Sequence, residues 1–307
     1  MARSGDGGSS GNGDTNVDLT GAVDLHTHVG PSTIDRRVDA YECAVEVAEA
    51  GMAGVVFKEH FLPTAYGVPF VDRLLGRDGH DVAAMGSVVC NYPVGGFNPH
   101  AVATAIDYGA RVVWGPTIDA RHHARQTGQL AAFLGAEAGE EYADEEGITA
   151  LDDDGNLRDE VRLCVEKVAA ADALLCLGHL SFQETREVVA YAADRGADVV
   201  VDHPTYGVTD LNTDQQRELA ALGAKLNFPF VAISDAHGWT TPADLADAIR
   251  AVGVDHCVVS SDVGQVENPS VPEALRRLGA ALLAEGFSAA EFDRMVRIVP
   301  RELVGID

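Results

Sequence analysis

The chain has 307 residues, of which 46% are hydrophobic and 23% are charged, which is typical of a folded globular protein. Aspartate and glutamate number 48 against 22 lysines and arginines, and the formal net charge is −26. This charge would repel nucleic acids and anionic membranes, so both are excluded as expected partners. It instead suits a salt-rich cytoplasm, where short-range screening removes the self-repulsion, and indicates a halophilic protein.

The cysteine pattern and hydropathy bear on the cellular compartment. The five cysteines are odd in number, show no C-x-x-C spacing and lie in apolar stretches. This pattern predicts free, buried thiols in a reducing compartment. No stretch reaches the roughly 18 apolar residues of a membrane span, and the N-terminus lacks the apolar core of a signal peptide. We therefore expect a cytoplasmic protein.

The first 16 residues are mainly glycine, serine, aspartate and asparagine, which predicts a disordered tail. From Val17 onward, short apolar runs alternate with longer amphipathic segments. The runs are apolar on both faces, as parallel strands covered by helices must be. Eight such strands are predicted, at residues 22–25, 53–57, 82–90, 111–114, 173–177, 198–201, 224–228 and 256–260.

Between the predicted strands lie segments with helical periodicity. Examples are residues 39–51, 181–196, 213–223 and 242–253. This alternation predicts an α/β protein with a (β/α)8 TIM barrel over residues 17–307 as one domain. An open doubly wound sheet is the competing fold, but it would carry a glycine-rich loop after strand 1, where this chain has Leu25-His26-Thr27-His28.

An acidic insertion follows the fourth strand, at residues 135–160. Within it, residues 148–157 contain Asp154-Gly155 between apolar positions, which predicts a β-hairpin. A hairpin at this edge of a barrel could cover the active site or be an inert decoration, and the sequence leaves both open.

Polar side chains with metal-ligand chemistry follow four of the strands. His26 and His28 end the first strand, His179 and His203 follow the fifth and sixth, and Asp262 follows the eighth. The carboxyl ends of barrel strands form the face on which active sites are built. Imidazole favours zinc and related divalent ions. Asp262 could alternatively cap a helix, but Pro269 delays the next one, and the sequence predicts a metal centre formed by these five residues.

This arrangement resembles the amidohydrolase superfamily, whose barrels carry His-x-His after strand 1, histidines after strands 5 and 6, and aspartate after strand 8. The segments KEHFLPT at 58–64, NPHAV at 98–102 and VWGPT at 113–117 resemble, more narrowly, a little-characterised branch of predicted metal-dependent hydrolases. The resemblance implies one or two divalent metals, zinc first, with Mn2+ or Fe2+ as alternatives. His26 and His28 would hold the more buried metal with Asp262, and His179 and His203 the more exposed one.

The chain departs from the superfamily at the bridging ligand. Binuclear members usually bridge their metals with a carboxylated lysine or a glutamate from strand 3 or 4, and neither follows those strands here. Lys58, at the end of strand 2, is the candidate metal ligand, in carboxylated form. Alternatives are that Lys58 pairs with a carboxylate or an anionic substrate, that Glu59 bridges, or that the site holds a single metal.

The resemblance implies hydrolysis of an amide, ester, lactone or phosphoester of a small molecule by metal-activated water, with Asp262 as the catalytic base. A metal-dependent decarboxylase of the same superfamily is the alternative. His60 and His122, beyond strands 2 and 4, are candidate substrate-binding residues, and Arg121 or Arg125 could receive an anionic group. The expected partner is the small-molecule substrate, and a homo-oligomer is common among such barrels.

Overall fold

The structure, a computed structural model, describes residues 17–130 and 146–306. The predicted N-terminal tail and the middle of the acidic insertion lie outside the described residues. The strands are β1 (Val23–His28), β2 (Gly54–Lys58), β3 (Ala83–Val89), β4 (Ala110–Trp114), β5 (Leu174–Leu177), β6 (Val199–Asp202), β7 (Lys225–Pro229) and β8 (Cys257–Ser260). The helices described are α1 (Ala40–Glu49), α2 (Val68–Asp78), α3 (Pro99–Asp107), α4 (Arg121–Thr127), α5 (Asp159–Ala170), α6 (Phe182–Ala193), α7 (Thr213–Ala221), α8 (Pro242–Val252), α9 (Val271–Ala284), α10 (Ala289–Asp293) and α11 (Val299–Val304).

The eight strands form one parallel sheet in sequence order, β1 to β8. Backbone hydrogen bonds then join the end of β8 to β1, because the amide of Asp262 donates to the His26 carbonyl (2.7 Å) and that of His28 to the Val263 carbonyl (2.7 Å). The sheet therefore closes on itself. This confirms the predicted (β/α)8 barrel and rules out an open doubly wound sheet.

Two hydrophobic cores explain why the strands are apolar on both faces. One lies between the sheet and its helices, and includes Phe57, Leu177 and Phe228. The other fills the barrel interior, with Trp114 as its largest side chain. Helix α11 closes the amino-terminal end of the barrel, since Val299, Leu303 and Val304 belong to the inner core. The carboxyl-terminal end is left for the site.

The predicted helices appear with bounds that differ by a few residues. Their starts are fixed by side-chain caps: Asp39 accepts from the Glu42 amide at the start of α1, and Ser181 accepts from the Glu184 amide at the start of α6. Glu42 and Glu184 bond back to the cap amides. Each cap sets the point where a loop from the site turns into a helix.

The predicted hairpin is present in its described part. Leu151 pairs with Leu157 in an antiparallel bridge around Gly155, which has a φ of +83°. The buried Glu184 of α6 anchors it by accepting from the Thr149 hydroxyl (2.5 Å) and the Ala150 amide (2.9 Å). No residue of 146–158 lines the cavity described below, so this described portion packs on α6.

All five cysteines are buried and free, as predicted (Cys43, Cys90, Cys164, Cys176 and Cys257). Across residues 17–130 and 146–306, no helix has both the length and the hydrophobicity that a membrane crossing requires.

Candidate metal centre

A β-bulge in β1 turns His26 and His28 toward the barrel interior. Asp24 lies opposite Val55 of β2, but Thr27 lies opposite Phe57, so β1 contains one extra residue between these pairs. An extra residue reverses the alternation of side chains along a strand. Leu25 therefore belongs to the inner core while His26 also faces inward, with its ring 4.6 Å from that of Trp114.

Asp262 meets both imidazoles from the end of β8. Its Oδ1 atom lies 3.1 Å from His26 Nε2 and 3.3 Å from His28 Nε2. Asp262 has a φ of +50°, a strained conformation for a non-glycine residue that is common at functional sites. The next turn approaches very closely: a Cβ on Gly264 would lie 2.1 Å from the His28 carbonyl oxygen. The backbone thus holds three donor atoms around one point.

The chemistry of these three residues fits a divalent cation. All three are buried, and their donor atoms lie within 4.8 Å of one another. Burial lowers the pKa of His26 and of His28 well below 6.5, so both imidazoles are neutral at pH 7 and keep a lone pair. Burial also raises the pKa of Asp262 to about 7, because the carboxylate is removed from water. A cation would relieve that cost.

Two further aspartates support this cluster. Asp202 Oδ1 lies 3.2 Å from His26 Nδ1 and accepts from the Asn227 amide (2.7 Å), which leaves His26 Nε2 free to act as a ligand. Asp24 accepts from the amide (2.9 Å) and the hydroxyl (2.5 Å) of Ser261, joining β1 to β8. Sequence reasoning missed both aspartates, although Asp202 directly precedes His203 and Asp24 precedes the His-x-His pair by two residues.

His179 and His203 face the same cavity from β5 and β6. Their ring centroids are 5.0 Å apart, and that of His203 lies 6.2 Å from that of His26. His203 has a φ of +35° and packs on Gly178, where an added Cβ would lie 2.8 Å from its ring. Burial lowers the pKa of His203 to about 3, so it too is neutral. The two form a second pair of nitrogen donors beside the first cluster.

His123 of α4, the neighbour of the predicted His122, contacts His179. The two Nδ1 atoms lie 2.7 Å apart, so the N–H of one ring donates a hydrogen bond to the nitrogen of the other. Burial lowers the pKa of His123 to about 4, so it is uncharged. If His179 binds a cation through Nε2, its Nδ1 carries the ring proton and donates a hydrogen bond to His123 Nδ1. His123 thus orients His179 as Asp202 orients His26.

Lys58, the predicted bridging ligand, is buried at the centre of the site. Its Nζ lies 3.0 Å from His26 Nε2 and 4.1 Å from the centre of the Trp114 ring. Burial lowers the pKa of Lys58, although Asp202 and Asp262 oppose that effect. The side chain therefore reaches His26, one of the predicted ligands, and its role as a bridging ligand stays a prediction.

The structure separates the other predicted residues. His60 lines the cavity, 3.0 Å from the Thr117 hydroxyl and with its ring 4.8 Å from that of His28. His122, the other predicted substrate-binding residue, does not line it: its Nε2 lies 2.8 Å from the Val208 carbonyl oxygen. The reason is the rotation of α4, which presents His123 to the site instead.

Glu59 and Arg121, which the sequence also offered as candidates, have other partners in the structure. Glu59 cannot bridge in this arrangement, because its carboxylate accepts from the Ser32 hydroxyl (2.9 Å) and the amides of Phe61 (2.7 Å) and Leu62 (2.8 Å). Arg121 pairs with Glu146 (2.9 Å) and does not reach the cavity.

The site opens into a cavity of about 720 Å3. We call its floor the set formed by His26, His28, His60, His179, His203, Lys58 and Asp262. The other lining residues are divided equally between apolar or aromatic side chains (Ile34, Val231, Val266, Tyr206 and Trp239) and polar or charged ones (Asp35, Arg36, His237, Gln265 and Glu267). The ring centroids of Tyr206 and Trp239 are 4.6 Å apart, with the rings tilted by 51°. This volume suits a small molecule.

Comparison with known proteins identifies the family. Residues 21–227 match the model described as Family of unknown function (DUF6282). The chain belongs to DUF6282. The match covers β1 to β6 and the start of β7 of this DUF6282 barrel, including His26, His28, Lys58, His179 and His203, whereas Asp262 lies beyond it. A search of curated proteins found no match.

Solved structures share the fold. An amidohydrolase from Pseudomonas aeruginosa is 12% identical, with a TM-score of 0.58 over 92% of this chain and 97% of that one. A phosphotriesterase homology protein from Escherichia coli, complexed with phosphate in its active site, is 19% identical, with a TM-score of 0.56 over 94% and 99%. A putative 2-pyrone-4,6-dicarboxylic acid hydrolase from Pseudomonas putida is 15% identical, with a TM-score of 0.54 over 94% and 98%. These neighbours show that the chain shares its barrel fold with structures that include an amidohydrolase.

Proposed function

We propose that this DUF6282 protein is a metal-dependent hydrolase of a small molecule, acting on an amide, ester, lactone or phosphoester bond. The observation that supports it most is the convergence of His26 Nε2 and His28 Nε2 on one oxygen of Asp262, at 3.1 and 3.3 Å, on the floor of a cavity. The named activities of the structural neighbours are hydrolytic, which favours the same reaction class.

His26, His28 and Asp262 would hold the first cation, with zinc favoured by two imidazoles and a carboxylate. His179 and His203 would hold a second cation or position the substrate. A bound divalent cation lowers the pKa of a coordinated water and polarises the bond to be cleaved. The chain's own part is to hold these groups rigidly, with Asp202 and His123 fixing the ring orientations.

Asp262 is the catalytic residue in this proposal. Its carboxylate reaches the cavity floor and is almost fully buried, so few solvent molecules compete for it. Asp262 orients the attacking water, accepts its proton and passes that proton to the leaving group. His60 lines the same floor and contacts the substrate.

Lys58 would serve as the anionic bridging ligand after carboxylation. The reaction with carbon dioxide requires an uncharged amine, and burial favours that form by lowering the pKa of Lys58. Incubation with 13C-bicarbonate and zinc is expected to give a carbamate resonance that the Lys58→Met variant lacks. If the wild-type protein gives no such resonance while binding two zinc ions, Lys58 is not the bridge.

The experiment for the function begins with chelation and reloading with Zn2+, Mn2+ or Fe2+. Each form is then assayed on matched panels of amides, esters, lactones and phosphoesters. We expect metal-dependent hydrolysis of at least one class, lost in Asp262→Asn while metal content is retained. Carbon dioxide release from a parallel panel of carboxylic acids, without hydrolysis of the other panels, would instead identify the decarboxylase alternative. Hydrolysis that survives both chelation and Asp262→Asn would refute the proposal.

A further inference from the structure

Arg36 is a charged side chain in the cavity that the proposed function does not use. It lies in the loop between β1 and α1 and lines the cavity together with His28 and Asp262. Its Nε atom is buried, and among the described residues no group accepts a hydrogen bond from it. A buried guanidinium donor without an acceptor is costly, so it needs an explanation from function.

The two carboxylates that act electrostatically on Arg36 do not form a hydrogen bond with its Nε atom. Glu59 and Asp262 both act on the charge of Arg36. However, Glu59 is bound to backbone amides of its own loop, and Asp262 Oδ1 faces the two imidazoles. Arg36 forms no ion pair with any carboxylate in the described part of the chain. Its charge is therefore available to an external anion.

The contact between Arg36 and His28 is not compatible with a cation bound at the proposed metal site. A terminal nitrogen of its guanidinium lies 3.4 Å from His28 Nδ1. When the Nε2 atom of a neutral histidine binds a cation, Nδ1 carries the ring proton and becomes a donor. Two donors cannot form a hydrogen bond. Loading the site thus removes the last acceptor of Arg36 and leaves the guanidinium facing the cavity.

Aromatic and apolar residues of the same lining offer a place for an apolar body. The ring centroids of Tyr206 and Trp239 are 4.6 Å apart, with the rings tilted by 51°, and Val231 lines the cavity with them. The Trp239 ring is held by a hydrogen bond from Nε1 to the Thr205 hydroxyl (3.3 Å). The lining also contains the carboxylates of Asp35 and Glu267, of which Glu267 lies 3.8 Å from His237 and neither pairs with Arg36 among the described residues. With Arg36 unpaired and an aromatic pair in the same cavity, we favour a small amphipathic anion as the ligand.

We propose that Arg36 binds an oxyanionic group of the substrate, a carboxylate or a phosphate, while an apolar or aromatic portion contacts Tyr206 and Trp239. This assignment rests on the proposed function, since it places the bond to be cleaved beside Asp262. Arg36 is a specificity-determining residue in this scheme. Guanidinium groups suit it because their fork of donors matches the oxygens of both anions.

The test uses zinc-loaded full-length protein and three probes: benzoate, phenyl phosphate and neutral benzamide. Binding is measured by calorimetry for wild type, Arg36→Gln and Arg36→Lys. Arg125→Gln is the matched control, because Arg125 is exposed on α4, does not line the cavity and changes the net charge equally. Zinc content and unfolding midpoint are measured for each variant, so that a damaged metal site is detected directly.

We expect Arg36→Gln to weaken benzoate or phenyl phosphate at least about tenfold, the effect of losing a charge-assisted hydrogen bond, with benzamide unchanged. Arg36→Lys should restore part of that loss, and Arg125→Gln should behave as wild type. The more strongly affected anion identifies the group that Arg36 recognises. Equal anion affinities in Arg36→Gln and Arg125→Gln, with full zinc content, would overturn the assignment and leave the hydrolase proposal standing. Failure of wild type to bind zinc would count against the metal site itself.

Discussion

The affinity of the site for metal should depend on pH through one group, Asp262. Burial raises the pKa of this carboxyl from 3.8 to about 7 in the metal-free protein. At about 1.4 kcal/mol per pKa unit, ionising Asp262 in the metal-free site costs about 4 kcal/mol more than ionising an aspartate in water. The imidazoles of His26 and His28 are already neutral above pH 6.5, because burial lowers their pKa. Below pH 7 a metal ion must therefore displace a proton from Asp262.

The dissociation constant for Co2+ is measured from pH 5.5 to 8.5 by visible absorption, for wild type and Asp262→Asn. Asparagine keeps a ligand oxygen but has no proton to lose. The ratio of the two affinities should rise about tenfold per pH unit up to about pH 7 and then stay constant. Taking the ratio cancels any proton that Lys58 releases in both proteins. A ratio that does not change with pH, or that still rises above pH 8, would refute the assignment of Asp262 as a buried metal ligand.

The same group makes the stability of the metal-free protein depend on pH. Stability falls as the pH rises, whereas metal affinity increases. A carboxyl with a raised pKa in the folded state keeps its proton after the unfolded chain has lost it, so the metal-free protein becomes less stable as pH rises from about 4 to 7. Asp24, with a pKa also raised to about 7 by burial, contributes in the same direction. Affinity is therefore the cleaner measurement for Asp262, because Asp24 contributes to stability directly but acts on Asp262 only through its charge.

Three further predictions test the surroundings of the site. Asp202→Asn should weaken zinc binding about 10- to 100-fold, because it disturbs the orientation of His26. The affinity is measured by competition with a chelator, and Asp214→Asn on the exposed surface of α7 is the control that should have no effect. Equal affinities of the two variants would show that Asp202 does not position His26. Gly264→Ala should cost at least about 1–3 kcal/mol in urea unfolding, because its Cβ would collide with the His28 carbonyl, whereas Gly76→Ala in α2 meets no neighbour and should not destabilise; a neutral Gly264→Ala would contradict the tight turn. Raising NaCl from about 0.1 M to 1 M shortens the Debye length from about 10 to 3 Å and should raise the unfolding temperature by several degrees, because it screens a net charge of −26; a fall would contradict the halophilic interpretation.

The sequence was sufficient to predict the fold because strand and helix periodicities are local. Each of the eight strands lies at the predicted place, and the barrel then brings Asp262 of the last strand to His26 of the first. Positions at strand ends were therefore predictable as site residues. Closure of the sheet brings these positions, more than two hundred residues apart in the chain, to the same end of the barrel.

Other features depend on geometry that the sequence does not display. The bulge in β1 that turns His26 inward leaves no local signature. The choice between His122 and His123 depends on the rotation of α4 about its axis, and a difference of one residue moves a side chain by about 100°. Arg36 lies in an irregular loop, where no periodicity predicts direction. The sequence therefore predicted where these residues lie along the chain better than the direction in which their side chains point.

The central claim is that His26, His28 and Asp262 hold one divalent cation. A crystal of protein reloaded with zinc, measured on both sides of the zinc absorption edge, tests this directly. The account predicts an anomalous peak about 2.0–2.2 Å from His26 Nε2, His28 Nε2 and a carboxylate oxygen of Asp262. An anomalous map with zinc elsewhere, or with these three side chains around no peak at full zinc occupancy of the protein, would contradict it.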